Sequence, residues 1–309
     1  MSAVLNIIPV GLSILDELDT TGQLTPLAHS LDPHALGSGN DVVRNEIKRH
    51  LAANHVIDLP ALLGPAHGLP RSAYAEHHLC AEWTALAVEH NNPVPGDPDD
   101  GHAYVYLASD TNKGLRAATL LAAGSAEHPH QLRYIDDTTE TAFRESELVR
   151  GHAYICRIPG LDPSTTALPP QTWRAFGSIG RAAAVTATAR PDQRWRIALH
   201  LSGGQKAMLP YLLGVAEATS TWLRQNRTRT PIRAWCTHDE RRTERLELPV
   251  RWMSTPLYDT LVKLKAAAPE NGATIGSDYR NLDGSCLDNG TLTALGRIML
   301  AALPDPGTI

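Results

Sequence analysis

The chain lacks the cysteine pairs that zinc ribbons and thioredoxin-like sites require. Its four cysteines, Cys80, Cys156, Cys236 and Cys286, lie far apart, and no two of them form a CxxC motif. Scattered thiols are typical of a reducing compartment, so we expect a cytoplasmic protein. Neither a metal nor a cofactor is predicted.

Long apolar runs are also missing. No stretch reaches the roughly 20 apolar residues that a membrane-spanning helix needs. The first residues, MSAVLNIIPVGLSIL, lack the basic start and the long apolar run of a signal peptide. We therefore expect no membrane partner.

The chain also has few aromatic residues and no excess of positive charge. With only 2 Phe, the core is expected to consist mainly of aliphatic side chains. The formal net charge of −5 argues against a broad surface that coats nucleic acid, although it is compatible with one small basic pocket. From residue 238 onward acidic residues outnumber basic ones. Duplex DNA is therefore not expected as a partner.

What the chain does contain is an alternation of short apolar runs with helical patterns. This alternation predicts an α/β domain with a Rossmann-like, mostly parallel sheet over residues 1–237. Residues 238–309 change character and predict a small α+β or winged-helix-like appendage, whose last helix has Thr293 as its N-cap. The predicted strands cover residues 4–10, 103–108, 132–135, 152–158, 195–201, 231–237 and 246–252, with a connecting segment as the alternative for residues 152–158. The main predicted helices cover residues 72–90, 113–123, 172–189, 207–223 and 257–268.

Residues 195–214, WRIALHLSGGQKAMLPYLLG, form the most informative stretch. A buried strand runs through the turn Ser202-Gly203-Gly204-Gln205-Lys206 into a helix. Glycines let backbone N–H groups approach a phosphate, while the helix N-terminus and Lys206 add positive charge. The turn therefore suits a phosphate-bearing ligand. Because it is neither a Walker A loop nor GxGxxG, a tight strand-to-helix turn with a solvated lysine is the alternative.

Two further predicted strands end in glycine or polar turns. These turns are Gly11-Leu12-Ser13 and Ser109-Asp110-Thr111. In open parallel sheets ligands bind beyond the carboxyl ends of the strands, so three such turns on one edge would form a pocket. Serine and threonine at these positions also act as helix N-caps, and for residues 109–111 we expect capping first and ligand contact second.

Three segments together resemble CARF domains, the CRISPR-associated Rossmann-like fold. They are PVGLSILDEL, YLASDTNKGLRAATLLA and LHLSGGQKAMLPYL. In the family the corresponding segments read like VGTSLL, TDTxxG and TGGFK followed by a helix, and order and spacing agree over residues 4–237. Leu12 replaces a small hydroxyl residue of that pattern, and Gln205 replaces an aromatic one.

The resemblance implies a homodimer that binds a cyclic oligoadenylate, most often the tetra-adenylate, across its two-fold axis. CARF proteins without an effector domain include ring nucleases, which cleave this messenger and so switch off antiviral CRISPR signalling. By motif position Ser13 and Lys206 are the candidate catalytic residues. The candidate ligand-binding residues are Gly11, Leu12, Ser109, Asp110, Thr111, Ser202, Gly203, Gly204 and Gln205.

The expected chemistry is attack of a ribose 2′-OH on the adjacent phosphate, which gives a 2′,3′-cyclic phosphate. It needs no metal if the site holds the attack in line and stabilises the phosphorane. Lys206 would stabilise the developing charge, and Ser13 would position the 2′-OH or the phosphate. No histidine is obviously placed as a general base, so slow turnover is expected.

Two other functions stay open. One is a sensor without catalysis, whose C-terminal segment regulates transcription or a protein partner when the ring binds. The other is an α/β nucleotide-binding protein unrelated to CRISPR. The R-x5-H matches at residues 44–50 and 71–77, which resemble those of HEPN ribonucleases, are interpreted as chance, and the histidine pairs at 77–78 and 128–130 as surface residues.

Overall fold

The computed structural model describes residues 3–15, 80–90, 101–125, 131–144, 147–162, 168–189, 194–204, 206–237, 244–267, 286–288 and 291–304. The strands within these ranges are β1 (Ala3–Pro9), β2 (Ala103–Ala108), β3 (Leu132–Ile135), β4 (Ala153–Arg157), β5 (Trp195–His200), β6 (Ile232–Thr237), β7 (Arg245–Leu248), β8 (Leu287–Asp288) and β9 (Thr291–Leu292). The helices are α1 (Ala81–His90), α2 (Asn112–Ser125), α3 (Thr141–Arg144), α4 (Pro170–Ala189), α5 (Leu209–Gln225), α6 (Thr255–Ala266) and α7 (Ala294–Ala302), and a 3₁₀ turn (Lys206–Met208) precedes α5.

Seven of the described strands form one sheet in the order β3-β4-β2-β1-β5-β6-β7. The pairs among β1 to β6 are parallel, and β7 is antiparallel to β6. The predicted α/β class with a mostly parallel, Rossmann-like sheet is therefore confirmed. Strand β1 lies between β2 and β5, so the chain changes direction across the sheet beside it. Such a switch point opens a crevice at the carboxyl ends of the strands.

The sheet is covered on both faces, which explains why β1 and β2 consist almost entirely of buried apolar residues. On one face Leu5 and Ile7 belong to a core that includes residues of α4, α5 and α7. On the other face Ile8 and Tyr106 pack with residues of α1 and α2. Because residues alternate between the two faces, β1, β2 and β4 each contribute to both cores.

Helix α7 packs directly on the backbones of α4 and α5, where small residues permit the approach. A Cβ on Gly177 of α4 would lie 2.2 Å from the Cβ of Ala301, and a Cβ on Gly214 of α5 would lie 2.4 Å from a methyl carbon of Leu295. Leu261 and Ile298 share the core that also contains Leu5. The described part of the C-terminal segment thus shares one core with the sheet, and its predicted division into a separate appendage is not confirmed.

Local signals account for most of the element ends. Thr293 is the predicted N-cap of α7, and its hydroxyl accepts a hydrogen bond from the Gly296 N–H at 3.1 Å. Strand β7 is shorter than the predicted strand 246–252, because Pro249 cannot donate a ladder hydrogen bond. Residues 20–100 are a large insertion between the first two predicted core strands, and most of them lie outside the described residues, as do the R-x5-H matches and the histidine pairs. Within the described residues, no helix has both the length and the apolar character to cross a bilayer.

Candidate functional site

The turn after β1 and the turn after β5 contact each other at the carboxyl edge of the sheet. The two strands pair in parallel, so both end at this edge. A Cβ on Gly11 would lie 3.1 Å from the backbone nitrogen of Gly204. Gly204 has a φ of +78°, which favours glycine, and a Cβ there would lie 2.9 Å from the Cβ of Pro9. We call residues 11–13 and 202–206 the loop pair.

A carboxylate from a third element lies between the two turns. The Gly11 N–H donates to Oε1 of Glu82 at 2.6 Å, and the Ser13 hydroxyl donates to Oε2 at 3.5 Å. On the other side, a Cβ on Gly203 would lie 2.2 Å from the same Oε1 atom. Glu82 is only 1% exposed. The first turn of α1 thus joins the loop after β1 to the loop after β5.

The surroundings of Glu82 set its pKa in two opposing ways. Burial raises the pKa of Glu82, whereas hydrogen bonds from the Gly11 N–H, its own N–H, the Cys80 thiol and the Ser13 hydroxyl lower it, and burial prevails. The N-terminus of α1 also favours a negative charge in its first turn. The glycine turns therefore hold a carboxyl group that the protein itself supplies.

This contact changes the interpretation of the Gly-Gly turn. Gly203 is required because the Glu82 side chain packs against it, and it is buried beneath the loop surface. Of the described residues of the loop pair, Leu12, which is 39% exposed, and Lys206 are exposed, whereas Gly11, Ser13, Ser202 and Gly204 are partly exposed. A ligand at this edge would meet these residues first.

Two predicted ligand-binding residues of the loop pair need separate mention. Ser202 serves the fold, because its Oγ accepts a hydrogen bond from the Thr237 N–H at 2.8 Å and so ties the end of β6 to the loop after β5. Gln205 lies outside the described residues. The structure therefore brings Gly11, Ser13 and Gly204 together in one place.

Ser109 and Thr111 hold the loop after β2 and the start of α2. The Thr111 hydroxyl accepts a hydrogen bond from the Gly114 N–H at 3.1 Å, which is the expected capping interaction. The Ser109 hydroxyl lies 3.0 Å from that of Thr111. A Cβ on Gly114 would lie 1.9 Å from the Ser109 Oγ, so this glycine is fixed by the same contact.

Asp110 is occupied by an arginine that sequence reasoning did not single out. Arg157, at the end of β4, donates from Nε to Oδ1 at 2.7 Å and from Nη2 to Oδ2 at 3.0 Å. The Gly160 N–H donates to Oδ2 as well, at 2.8 Å. This forked ion pair ties the loop after β2 to the loop after β4. The sequence offers one signal for Arg157, which is its charge near the end of a predicted apolar strand.

His200, at the end of β5, is held as a neutral ring inside the sheet. The Trp235 Nε1–H donates to Nδ1 at 3.0 Å, and Nε2 lies 2.9 Å from the side-chain oxygen of Asn6. Because an indole nitrogen can only donate, Nδ1 must accept and Nε2 must carry the proton. His200 is fully buried, so it does not reach the loop surface.

No family model matches this chain, and no curated protein matches it either. Within the described residues, no group of three or more His, Cys, Asp or Glu side chains is placed to hold a metal ion. Among the described residues, the loop pair and Glu82 supply a lysine, a serine, backbone N–H groups and a buried carboxyl group. Glu82 itself was missed because an acidic residue in the first turn of a helix is common and has no pattern that marks a distant contact.

Proposed function

We propose that this chain is a CARF-type protein that binds a cyclic oligoadenylate, with the tetra-adenylate as the first candidate, and cleaves it. The observation that carries the proposal is the contact between the loop after β1 and the loop after β5. Both loops bear segments that resemble the family, and they adjoin at the switch point of a parallel sheet with Ser13 and Lys206 accessible to solvent.

The reaction we propose is attack by a ribose 2′-OH on its adjacent phosphorus, followed by loss of the 5′-oxygen. The products carry a 2′,3′-cyclic phosphate and a 5′-OH. The ammonium group of Lys206 stabilises the negative charge of the phosphorane, and the exposed side of the Gly204 turn supplies further polar groups. Ser13 orients the attacking hydroxyl, because a nucleophile held in line gains much of its rate from position alone.

The buried Glu82 makes Lys206 more important to the proposal. A phosphate at the loop pair would be bound above a carboxylate that is fixed between the two turns. Coulomb repulsion between these anions weakens binding unless a cation lies on the ligand side, and Lys206 is the cation of the loop pair. We therefore assign the phosphate contact to Lys206 and Gly204 rather than to Gly203.

The proposed assembly is a homodimer in the cytoplasm that ends antiviral CRISPR signalling by removing its messenger. A ring of repeating nucleotides has rotational symmetry, and two copies of one loop pair match a two-fold ligand in the simplest way. The resemblance to CARF domains supports this arrangement, and the carboxyl edge of the sheet is the face that each copy would present.

A sensor is the second candidate, and one contact favours it. Helix α5 follows the 3₁₀ turn that contains Lys206, and its Gly214 packs against Leu295 of α7. A shift of the loop pair on binding would therefore be passed to the C-terminal segment, residues 238–309, which in this alternative acts as a winged-helix-like regulatory unit. The ligand would then be bound and released intact.

One experiment separates these functions. The purified protein is incubated with cyclic tetra-adenylate in EDTA, and binding and products are measured by calorimetry and mass spectrometry. Products that end in 2′,3′-cyclic phosphate support the ring nuclease. Binding without products supports the sensor. Absence of binding to rings of four or six adenylates would overturn both and support an unrelated nucleotide-binding protein.

A further inference from the structure

The proposed cleavage needs a group that accepts the proton of the attacking 2′-OH. Of the described histidines, His200 is nearest in sequence to the loop pair, and it cannot serve. Its Nδ1 already accepts a hydrogen bond from Trp235, and the ring is fully buried. The proton acceptor must therefore be another group that reaches the loop pair.

Glu82 is that group by position. Its Oε1 accepts the hydrogen bond of the Gly11 N–H, which fixes the carboxylate, and its Oε2 faces the Ser13 hydroxyl. A serine hydroxyl has one hydrogen and two lone pairs. When the hydrogen is directed at Oε2, the lone pairs of Ser13 are free to accept a hydrogen bond from a ligand on the exposed side.

We infer that Glu82 is a positioning residue for the cleavage reaction. It acts through Ser13, and its carboxylate is the final acceptor of the proton. The inference rests on the proposed ring-nuclease function. As the 2′-oxygen forms its bond to phosphorus, its proton passes to Ser13 Oγ while the Ser13 proton passes to Glu82 Oε2. The bond from phosphorus to the 5′-oxygen breaks, that oxygen takes a proton from water, and Glu82 returns its proton to solvent through Ser13.

The distance of 3.5 Å from Ser13 Oγ to Glu82 Oε2 is long for a hydrogen bond, as is common for catalytic contacts in an empty site. A ligand hydroxyl that donates to Ser13 polarises the serine and strengthens its own donation to Glu82. Substrate binding is therefore expected to shorten this contact.

Cys80 and Tyr106 are titratable groups of the described residues that interact with this carboxylate. Cys80 precedes it on the same segment, and Tyr106 faces it from β2. Burial raises the pKa of both, so both stay neutral around pH 7. The turn of residues 11–13 contains no acidic or basic side chain, and the turn of residues 202–206 contributes the exposed Lys206. Burial also raises the pKa of Glu82 itself, which makes it a stronger base than an exposed carboxylate.

The test is single-turnover cleavage of cyclic tetra-adenylate from pH 5 to 9 by the full-length protein and by Glu82→Gln, Ser13→Ala and the double variant. We expect the wild-type rate to rise with pH through the pKa of Glu82, because only the ionised carboxylate accepts a proton. Glu82→Gln should be slower by about 10²-fold, with affinity changed less than about threefold, and its rate should lose this rise. The double variant should be no slower than Ser13→Ala, because both changes interrupt one proton path.

Glu217 offers a matched control. It is a half-buried carboxyl group on α5 whose pKa is also raised by burial, and it interacts with Arg251 rather than with the loop pair. Glu217→Gln should keep the wild-type rate and pH profile. A purely structural role for Glu82 would instead lower affinity and melting temperature without removing the rise of the rate with pH.

The outcomes are distinct. If Glu82→Gln cleaves with the rate and pH profile of the wild type, the inference is overturned while the ring-nuclease proposal stands. If Glu82→Gln does not fold, the comparison between wild type and Ser13→Ala decides, because loss of the pH rise in Ser13→Ala supports the relay and its persistence refutes it. If the wild type does not cleave the ring, the proposed function fails and the inference fails with it.

Discussion

The indole N–H of Trp235 fixes the protonation state of His200. It donates to Nδ1 at 3.0 Å, so the ring proton must lie on Nε2, which faces the Asn6 side chain. Three neighbouring strands, β1, β5 and β6, are linked by this one chain of side-chain hydrogen bonds beneath the loop pair. The stability of the edge that carries the candidate site therefore depends on a buried polar network.

Removing the donor of this network should destabilise the protein. Trp235→Phe leaves Nδ1 of His200 buried without its partner, which costs about 1–3 kcal/mol of the free energy of unfolding, in addition to the volume lost. Urea unfolding followed by circular dichroism measures the change. Trp252→Phe is the matched control, because Trp252 is 61% exposed and its loss should cost less than about 1 kcal/mol. Equal losses in the two variants would contradict the prediction.

Lys206→Ala should slow single-turnover cleavage of cyclic tetra-adenylate by about 10²-fold or more, the scale of one lost transition-state donor. Affinity should fall less, because the backbone around Gly204 remains. Lys206 is exposed, so the melting temperature should not change. Lys263→Ala on α6 replaces another exposed lysine and should leave cleavage unaltered. A loss of affinity alone, with an unchanged chemical step, would make Lys206 a binding contact only.

Gly203→Ala tests whether the glycine is required by Glu82. The added Cβ would lie 2.2 Å from Oε1 of Glu82, so the carboxylate or the turn has to move. We expect a loss of about 1–3 kcal/mol in the free energy of unfolding. Glu82→Ala should lower the free energy of unfolding less in the Gly203→Ala background than in the wild type, because it removes the side chain with which the new Cβ clashes. Additive losses in this double-mutant cycle, followed by urea unfolding, would show that the two residues act independently.

The raised pKa of Glu82 predicts how its contribution to stability varies with pH. Because the folded state holds the proton more tightly than the unfolded state, this contribution is fully present below the ordinary glutamate pKa of about 4.3. It is lost as pH rises through the higher pKa of the folded state. The free energy of unfolding of the wild type should therefore fall relative to that of Glu82→Gln as pH rises above the ordinary glutamate pKa. A difference that grows with pH would indicate that the hydrogen bonds to the carboxylate outweigh its burial.

The proposed two-fold ligand predicts a homodimer. Sedimentation equilibrium of the protein, alone and with cyclic tetra-adenylate, should give twice the chain mass of 33.5 kDa. A protein that stays monomeric under both conditions would contradict a site built from two copies of the loop pair.

Much of the sheet could be predicted because its strands are short apolar runs with clear ends. The predicted strands 103–108 and 132–135 have the bounds of β2 and β3, and Thr293 caps α7 as expected. The proximity of the turns after β1 and β5 could also be predicted, because the carboxyl ends of parallel strands lie at the same edge of the sheet.

The contacts that could not be predicted are those between side chains far apart in sequence. Nothing local to Glu82 indicates that its carboxylate reaches Gly11 and Gly203, and nothing local to Arg157 indicates Asp110 as its partner. The apolar face of α7 likewise predicts burial without saying against which helices. Periodicity shows which side of an element is buried, whereas the partner depends on the assembled fold.

The position of β1 at the centre of the sheet also affects how the protein is made. Ile7 lies beside Leu199 in the register, so β1 leaves the ribosome long before β5, one of its two neighbours in the sheet, has been made. Pairing over such a sequence separation is slow, and the apolar strand stays without that partner in the meantime. Synthesis on the ribosome therefore leaves one edge of β1 unpaired until β5 has emerged, and a chaperone that binds nascent apolar strands would protect it during that time.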